Sequence, residues 1–262
     1  MNYSHLYLGF RHVGILPSIH EQRRIQRAIL CDIFPLIGSG DFLSIGCGYG
    51  EELDFFLSDE GEQIPKSLKE LIALDIADVK NTVYLQPMIS QLNSKFTFHQ
   101  HDLLELDKLG LAKRPLIVQC GFVMEDIEYS CKDLAFELIR EIISDDGWFI
   151  YSEMFLDNLR QSDALADEDR QRTVASLYDL FINEAEISLN EGRMSKRQYN
   201  ELCGDGKTPG LYRTRQQAID GKRDFFESLE KTLQRFRELS FTVAAILDNK
   251  YNPFLKIILA KS

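Results

Sequence analysis

The sequence predicts an α/β fold: a doubly wound, mostly parallel sheet of seven strands that ends in an antiparallel hairpin and carries a helical cap inserted between strands 5 and 6. Three observations predict it. Short apolar runs alternate with longer stretches of helical periodicity. The last two runs are joined only by DNKYNP. A long segment with helical spacing separates the fifth run from the sixth.

The apolar runs are typical of buried β-strands because they are short and rich in branched and aromatic residues. Helical patterns lie between most of the first five runs, including residues 83–93 and 131–143, which is typical of a parallel sheet covered on both faces. DNKYNP is too short for a helical crossover, so the last two runs are expected to pair antiparallel. The seven runs are residues 42–45, 71–74, 95–100, 116–120, 148–152, 241–247 and 254–260.

The segment between the fifth and sixth runs is far longer than a crossover requires. It carries two apolar stripes at helical spacing, one within residues 168–189 and one that starts at Phe225, and Ser195 is a candidate N-cap between them. We interpret the segment as a helical cap over one end of the sheet. The predicted units are an N-terminal lid and helix (1–40), a central domain (41–152 with 241–262) and the cap (153–240).

Composition excludes several classes of protein. The formal net charge of −11 over 262 residues disfavours nucleic acid as a partner, because phosphate binding requires surplus Lys and Arg. No signal-peptide pattern and no membrane-length apolar run is found, so a cytoplasmic protein without membrane contact is expected. An odd number of cysteines without zinc-type spacing indicates free thiols and no metal site. The cysteines are Cys31, Cys47, Cys120, Cys131 and Cys203.

A glycine-rich loop follows the first run, in the stretch DFLSIGCGYGEE, with glycines at Gly46, Gly48 and Gly50. Glycines at such a turn let the backbone approach a ligand closely. A dinucleotide loop of the form G-x-G-x-x-G would need a third glycine at position 51. Glu51 and Glu52 stand there instead and would repel a pyrophosphate. The loop therefore favours a ligand without phosphate.

The G-x-G-x-G pattern resembles the first motif of the class I S-adenosylmethionine-dependent methyltransferases. The resemblance extends to Asp75 at the end of the second run, where the family's acid takes both ribose hydroxyls, and to Asp102 at the end of the third, matching the acid at the adenine amino group. Each acid also has an ordinary interpretation, Asp75 as a strand end and Asp102 as an N-cap. The resemblance implies S-adenosyl-L-methionine as cofactor, held by Ser44, Gly46, Cys47, Gly48, Gly50, Asp75, Ile76, Asp102, Leu103 and Cys120.

The motif departs from the family at its first position, where Ser44 replaces the usual acid. A hydroxyl can hold the loop without adding charge. In this region the chain is similar to the histamine N-methyltransferases, whose loop also reads L-S-I-G-x-G-x-G-E and whose preceding helix carries S-x-x-x-Q, as in Ser18 to Gln22. In that family a glutamate in the middle of the stretch contacts the amine, and here His20 stands there with Glu21 beside it.

Four residues are the candidates for contact with a substrate: His20, Glu21, Glu125 and Tyr7. Glu125 follows the fourth run, where it could bind a cationic amine, although acids there could instead only favour the N-terminus of the 131–143 helix. His20 could equally be a solvated helix residue, and Tyr7 could be a lid over the pocket or ordinary packing. No catalytic base is identified from the sequence.

The functional hypothesis is a methyltransferase that acts on a small molecule by in-line displacement, with an amine nitrogen favoured over a hydroxyl or carboxylate oxygen. A homodimer is left open. Two alternatives remain: a nicotinamide-dependent oxidoreductase, which would bind NAD rather than S-adenosylhomocysteine, and a non-catalytic protein that binds the cofactor and serves as a partner. The second alternative predicts a pocket filled by side chains or a large dimer surface on the cap.

Overall fold

The computed structural model describes residues 13–37, 39–48, 50, 53, 56, 68–77, 95–156, 167–204, 210–222 and 224–262. The predicted helix at 83–93 and the candidate Tyr7 lie outside these ranges. Seven strands of the described chain form one sheet in the order β3-β2-β1-β4-β5-β7-β6. They are β1 (Gly40–Ile45), β2 (Leu68–Asp75), β3 (Lys95–Gln100), β4 (Ile117–Gly121), β5 (Trp148–Met154), β6 (Thr242–Asp248) and β7 (Leu255–Lys261).

The strand directions confirm the predicted fold class. β1 lies in the middle of the parallel part, between β2 and β4, with Ser44 paired to Ala73 on one side and to Gln119 on the other. β5 continues the parallel arrangement, and β7 is antiparallel to both β5 and β6. The chain crosses from one side of β1 to the other between β3 and β4, so the strand order reverses at β1.

Six α-helices accompany the sheet in the described part of the chain. They are α1 (Pro17–Ile37), α2 (Tyr129–Ile142), α3 (Asp167–Asn190), α4 (Lys196–Cys203), α5 (Leu211–Ile219) and α6 (Leu229–Glu238). Shorter 3-10 turns lie at Val13–Ile15, Leu103–Leu109 and Met124–Asp126. None of the described helices is long and apolar enough to cross a membrane.

Helices cover both faces of the sheet. Successive side chains of a strand point to opposite faces, so each central strand contributes to two apolar clusters. Phe42 of β1 packs with Ile33 and Phe34 of α1 on one face. The next residue of β1, Leu43, lies on the other face in a cluster with Phe136 of α2 and Phe236 of α6. β1 and β4 are almost entirely buried, so their runs are mostly apolar, with Ser44 and Gln119 as buried polar exceptions.

The helices between β5 and β6 divide into two groups. The apolar stripe of α3, represented by Val174 and Phe181, is buried with residues of α4, α5 and the start of α1. The stripe of α6 instead packs on the sheet with the cluster of α2. As predicted, Ser195 is the N-cap of α4, and it forms a reciprocal capping box with Gln198. Of these two groups, α3 and α5 reach the carboxyl ends of the parallel strands.

Candidate active site

A cavity of about 500 Å³ opens at the carboxyl ends of β1, β2 and β4. This is the point where the strand order reverses, the usual location of ligands in open α/β sheets. Its walls come from the loops after these strands, from one face of α1, and from α3 and α5 of the cap. We distinguish a glycine-loop end, lined by Gly46 to Gly48, Asp75 and Asp102, from an acidic end, which is lined by Glu125 and Asp224 and has Glu153 behind Glu125.

The glycine loop adopts a conformation that requires glycine. Gly46, Gly48 and Gly50 have φ values of 70°, 50° and 79°, all in the left-handed region. A Cβ on Gly46 would lie 2.0 Å from Cγ2 of Val123, on the loop after β4. The amides of Gly46 and Cys47 both donate to the Leu74 carbonyl, at 2.8 and 3.1 Å. The loop is thus held against β2 with its backbone facing the cavity.

Asp75 ties the end of β2 to this loop. Its side chain is buried, with Oδ2 accepting a hydrogen bond from the Gly48 amide at 2.9 Å and Oδ1 accepting one from the Ala77 amide at 2.8 Å. Each carboxylate oxygen has a second lone pair, so the same group can also accept from a diol. Ile76 beside it is 43 % exposed and lies along the cavity, which leaves an apolar surface for a ligand ring.

Asp102 caps a turn and also borders the cavity. It is the N-cap of the turn Leu103–Leu109, with Oδ1 accepting from the Leu104 amide at 2.9 Å. It also lies along the cavity, as does Leu103. The capping bond fixes the carboxylate at the end of β3, one strand away from Asp75.

Seven of the ten residues expected to hold a cofactor line the cavity: Gly46, Cys47, Gly48, Asp75, Ile76, Asp102 and Leu103. The other three do not line it. Ser44 and Cys120 are fully buried within β1 and β4, and Gly50 lies at the far end of the loop, where its amide donates to the Cys47 carbonyl at 2.8 Å. The Ser44 hydroxyl has no hydrogen-bond partner among the described residues.

The expected substrate residues on α1 are not brought to the cavity. The helix presents Ile19, Gln22, Arg23 and Gln26, which share one face because they are three, four and seven residues apart. His20 is exposed, and Glu21 is paired with Arg24 at 2.8 Å. The hydrogen bond from Arg24 lowers the pKa of Glu21 against the opposing effect of burial.

At the acidic end, Glu125 lines the cavity as expected, but its closest partner is another carboxyl. Glu153, near the end of β5, is buried and accepts a hydrogen bond from the Glu125 amide at 3.3 Å, and the two carboxyls are neighbours. Burial raises the pKa of Glu125 well above its usual value, and the negative charges of Glu153 and Asp224 add to the effect. Burial also raises the pKa of Glu153. The pair therefore favours a shared proton.

Asp224 completes the acidic end from the cap side. It is buried, lines the cavity and accepts a hydrogen bond from the hydroxyl of Tyr178 on α3. Both Asp224 and Phe122, which faces the cavity from the loop after β4, have φ of 55°, in the left-handed region that ordinary residues avoid. Such backbone strain clusters at binding and catalytic sites.

The segment that carries Asp224 is fastened to the end of the sheet. The Phe225 amide donates to the Glu125 carbonyl at 2.5 Å, and Lys132 of α2 donates to the Phe225 carbonyl at 2.5 Å. The side chain of Glu227 accepts two hydrogen bonds from Arg235. Its backbone carbonyl accepts one from the amide of Leu156, just after β5, at 3.1 Å. These contacts hold the cap and the loop after β4 in one arrangement.

Sequence reasoning missed Glu153, Tyr178, Asp224 and the cavity face of α1. Glu153 carried a signal, since an acid at the end of a buried strand is unusual. Tyr178 lay inside a stripe interpreted as core, and Asp224 preceded the next stripe, so neither could be assigned to the pocket without the arrangement of the cap.

No family model matches the sequence, and no curated protein sequence matches it. Among solved structures, the chain is similar to the 1,6-didemethyltoxoflavin-N1-methyltransferase of Burkholderia thailandensis, solved with 1,6-didemethyltoxoflavin and S-adenosylhomocysteine. The identity is 12 %, the TM-score 0.55, and the match covers 92 % of this chain and 77 % of that one.

Two further structures have the same fold. The N-methyltransferase NodS of Bradyrhizobium japonicum WM9, solved with S-adenosyl-L-homocysteine, is 10 % identical with a TM-score of 0.53, covering 94 % of this chain and 88 % of that one. The magnesium protoporphyrin IX methyltransferase of Synechocystis PCC 6803 is 14 % identical with a TM-score of 0.52, covering 92 % and 83 %. The predicted resemblance to class I methyltransferases is confirmed at the level of the fold.

Proposed function

We propose that this chain is an S-adenosylmethionine-dependent methyltransferase that methylates a small-molecule acceptor, with an amine nitrogen as the favoured atom. The observation that carries the proposal is a single cavity with two chemically different ends. One end offers bare backbone, Asp75 and Asp102; the other offers the carboxyls of half-buried Glu125 and buried Asp224. This arrangement suits a cofactor and an acceptor that meet between the ends.

The residues at the glycine-loop end fit the cofactor. Gly46 leaves room that a Cβ would fill, Asp75 has lone pairs for a diol, and Ile76 exposes an apolar surface. These residues and Asp102 would hold the nucleoside part, and Arg23 on α1 has the charge to hold a carboxylate. When bound, the cofactor supplies an electrophilic methyl group on a sulfonium. Structures of this fold with S-adenosylhomocysteine bound support the assignment.

The remaining residues need only position the acceptor and exclude water, since displacement at a methyl carbon is governed by alignment. Phe122, Met154, Phe181 and Leu211 give the cavity an apolar wall near the acidic end. An acceptor with an apolar body would pack against this wall. Its polar atom would then face Glu125 and Asp224, and a carboxylate environment favours a group that can carry positive charge.

The two alternatives are less well supported. Glu51 and Glu52 directly after the glycine loop would repel a pyrophosphate, which disfavours a nicotinamide cofactor. A non-catalytic binding protein predicts a pocket filled by side chains, whereas this cavity has about 500 Å³ of open space.

Titration calorimetry with S-adenosylhomocysteine and, separately, NAD tests the proposal. We expect S-adenosylhomocysteine to bind and NAD not to bind. Asp75→Asn should weaken binding by about tenfold, because an amide nitrogen would replace an acceptor opposite a backbone amide. Asp248→Asn, the same change at the exposed end of β6, is the control and should leave binding unaltered. Binding of NAD alone would refute the proposal.

A transfer assay with a methyl-labelled donor then compares matched acceptors. 2-Phenylethylamine, 2-phenylethanol and 3-phenylpropanoate share an aromatic body and differ in the nucleophile. We expect label in the amine in preference to the alcohol or the acid. Label only in an oxygen acceptor would preserve the methyltransferase and refute the amine.

A further inference from the structure

We propose that the carboxyl pair Glu125–Glu153 is the general base of the reaction: Glu125 accepts the proton that the acceptor nitrogen loses, and Glu153 positions Glu125 to do so. The inference rests on the proposed function. It adds a catalytic residue and a positioning residue to a site for which the sequence identified no base.

The position of Glu125 supports the first role. Glu125 lies in the turn Met124–Asp126, directly after the central strand β4, and faces the cavity. Its Oε2 atom is buried and has no hydrogen-bond partner among the described residues. A buried carboxyl oxygen without a partner is costly unless it meets a donor. A nitrogen bearing a proton, bound in the cavity, would be that donor.

The position of Glu153 supports the second role. It lies on β5, next to β4 in the sheet, and both of its oxygens are engaged by backbone: Oε2 by the Glu125 amide at 3.3 Å and Oε1 by the Met154 amide at 3.0 Å. It is 4 % exposed and does not line the cavity. Glu153 therefore acts only through its contact with Glu125, from whose amide it accepts a hydrogen bond and whose pKa its charge raises.

Two neighbouring carboxyls in a buried place titrate as one unit with two macroscopic steps. The first proton is retained between them because both anions cannot be accommodated so close together. The charged and titratable groups around the pair are mixed in sign. Facing it are Asp126 from the same turn, Asp224 from the cap, Lys132 from α2, Tyr151 from β5, and the ion pair of Glu227 with Arg235.

The balance of these charges favours an amine. With one proton on the pair, the pair and Asp224 carry two negative charges, and Lys132 is the buried cation next to them. The Glu227 carboxylate is neutralised by Arg235 through two hydrogen bonds. An ammonium group entering the cavity would compensate the remaining negative charge and could then transfer a proton to Glu125.

The reaction balances with one proton released. A primary ammonium gives one proton to the Glu125 carboxylate and becomes a neutral amine. The nitrogen lone pair then forms the bond to the methyl carbon while the electron pair of the sulfur–carbon bond stays on sulfur. The product is a methylated ammonium, a neutral thioether and protonated Glu125, which returns its proton to water when the products leave.

Two variants and a matched control separate this role from a structural one. Glu125→Gln and Glu153→Gln keep the size of each side chain while removing its ability to take a proton. Glu184→Gln is the control, because Glu184 is also a partly buried carboxyl whose pKa is raised by burial, but it is hydrogen bonded to Ser18 and does not line the cavity. Thermal melting of each variant checks folding, and calorimetry with S-adenosylhomocysteine checks the cofactor site.

The first measurement needs no acceptor. Infrared difference spectra at pH 7 should show the carbonyl stretch of a protonated carboxyl in the wild type. The band assigned to the pair should disappear in both Glu125→Gln and Glu153→Gln and remain in Glu184→Gln. A wild-type spectrum without any band sensitive to these two substitutions would overturn the shared proton and with it the proposal.

The second measurement is the pH dependence of kcat for 2-phenylethylamine, tyramine and tryptamine with a methyl-labelled donor. In the wild type kcat should rise with pH through the titration of the pair. Glu125→Gln should lose this rise and fall about a hundredfold, the scale of general-base catalysis. Glu153→Gln should keep the rise but move it to lower pH, because the neighbouring negative charge is removed. A purely structural role would not move the profile.

The outcomes distinguish the two proposals. If S-adenosylhomocysteine does not bind, the proposed function fails and the base fails with it. If S-adenosylhomocysteine binds and methyl transfer occurs, but Glu125→Gln keeps the wild-type profile and turnover, only the base is refuted. If the cofactor binds and no amine is methylated, the base is again refuted, because it would have no amine proton to accept.

Discussion

The acidic side chains at the two ends of the cavity differ in their hydrogen-bond partners. At the glycine-loop end, Asp75 and Asp102 accept hydrogen bonds from backbone amides that are close in sequence or, for Gly48, in the loop after the neighbouring strand. At the acidic end, Glu125 meets Glu153, and a buried oxygen of Glu125 is left without a partner among the described residues. The first end is preorganised before any ligand arrives. The second is electrostatically incomplete, and an incomplete site of this kind is where a ligand gains the most by binding.

The two ends should therefore respond differently to substitution. The bonds at the glycine-loop end fix a shape, so substitutions there should alter ligand affinity. The carboxyls at the acidic end have perturbed pKa values, so substitutions there should alter pH dependence and turnover. The predictions below test that separation, beginning with the largest expected effect.

Gly46→Ala should abolish most function at the glycine-loop end. The new Cβ would lie 2.0 Å from Cγ2 of Val123, a β-branched residue with little freedom to move, so the loop must shift. A displacement on this scale can lower methyl transfer about a hundredfold. Methyl transfer and S-adenosylhomocysteine binding should fall together, as measured by labelled transfer and calorimetry.

Gly192→Ala is the matched control for that substitution. Gly192 has a φ of 74°, close to the 70° of Gly46, and nothing within 4 Å of its Cβ position. It should show the cost of the left-handed backbone, about 1 kcal/mol of unfolding free energy, and normal binding. Adding Val123→Ala to Gly46→Ala should restore part of the affinity. Equal loss of binding in Gly46→Ala and Gly192→Ala would mean that strain, rather than lost space, is the cause.

The sequence predicts the glycine-loop end better than the acidic end. The reason is how the residues of each end are brought together. The glycine loop is one continuous stretch, and Asp75 and Asp102 each end a recognisable apolar run, so the order of strands places them together. The acidic end joins Glu125, Glu153 and Asp224 through the packing of the cap on the sheet. Periodicity predicts that the cap is helical but not which residues of its helices face the cavity.

A similar limit applies on α1. The S-x-x-x-Q stretch lies at the start of this helix, and the resemblance indicated its middle residue, His20. The structure instead presents Gln22 and Gln26 to the cavity, and Ser18 donates to Glu184 of the cap. The rotation of a helix about its axis is set by tertiary contacts, which a short motif does not contain.

Tyr178→Phe should affect the acidic end and leave the glycine-loop end intact. It removes the hydroxyl that donates to the buried carboxylate of Asp224, and losing a hydrogen bond to a charged group costs about 1.5–3 kcal/mol of unfolding free energy. We expect kcat for an amine to fall about tenfold through the displaced charge. Affinity for S-adenosylhomocysteine should change less than about twofold.

Tyr212→Phe provides the comparison. Its hydroxyl contacts that of Tyr199 at an exposed position of the cap, so both stability and turnover should stay near the wild type. Chemical denaturation and steady-state kinetics measure the two effects. A Tyr178→Phe variant that loses cofactor affinity as strongly as turnover would contradict the independence of the two ends.

Stability should respond to pH with opposite sign at Glu125 and at Glu227. The folded-state pKa of Glu125 is raised above its unfolded value by burial, so folding retains a proton there, and this contribution is lost as pH rises through the raised pKa. At Glu227 burial opposes the change, but hydrogen bonds from Arg235 lower the pKa. Its contribution is present above the unfolded pKa and is lost as pH falls through the folded pKa.

Glu125→Gln should therefore gain melting temperature relative to the wild type as pH rises from 5 to 9. Glu227→Gln should lose stability at pH 7 and approach the wild type only as the buffer becomes more acidic than about pH 4. Melting curves of both variants over this range test the signs. Parallel curves for Glu125→Gln and the wild type at every pH would show that Glu125 titrates normally.

The smallest expected effect is that of Ser44→Ala, and it tests how far the glycine-loop end extends. The Ser44 hydroxyl is buried behind the loop without a partner among the described residues, so removing it should leave unfolding free energy within about 1 kcal/mol of the wild type. Affinity for S-adenosylhomocysteine should change less than about twofold. Ser152→Ala, which removes the acceptor of the Gln26 amide at 2.8 Å, should destabilise more. If Ser44→Ala instead strongly lowers the affinity for S-adenosylhomocysteine, the hydroxyl contacts the ligand through water. The serine would then perform the function of the acid that the methyltransferase family has at this motif position.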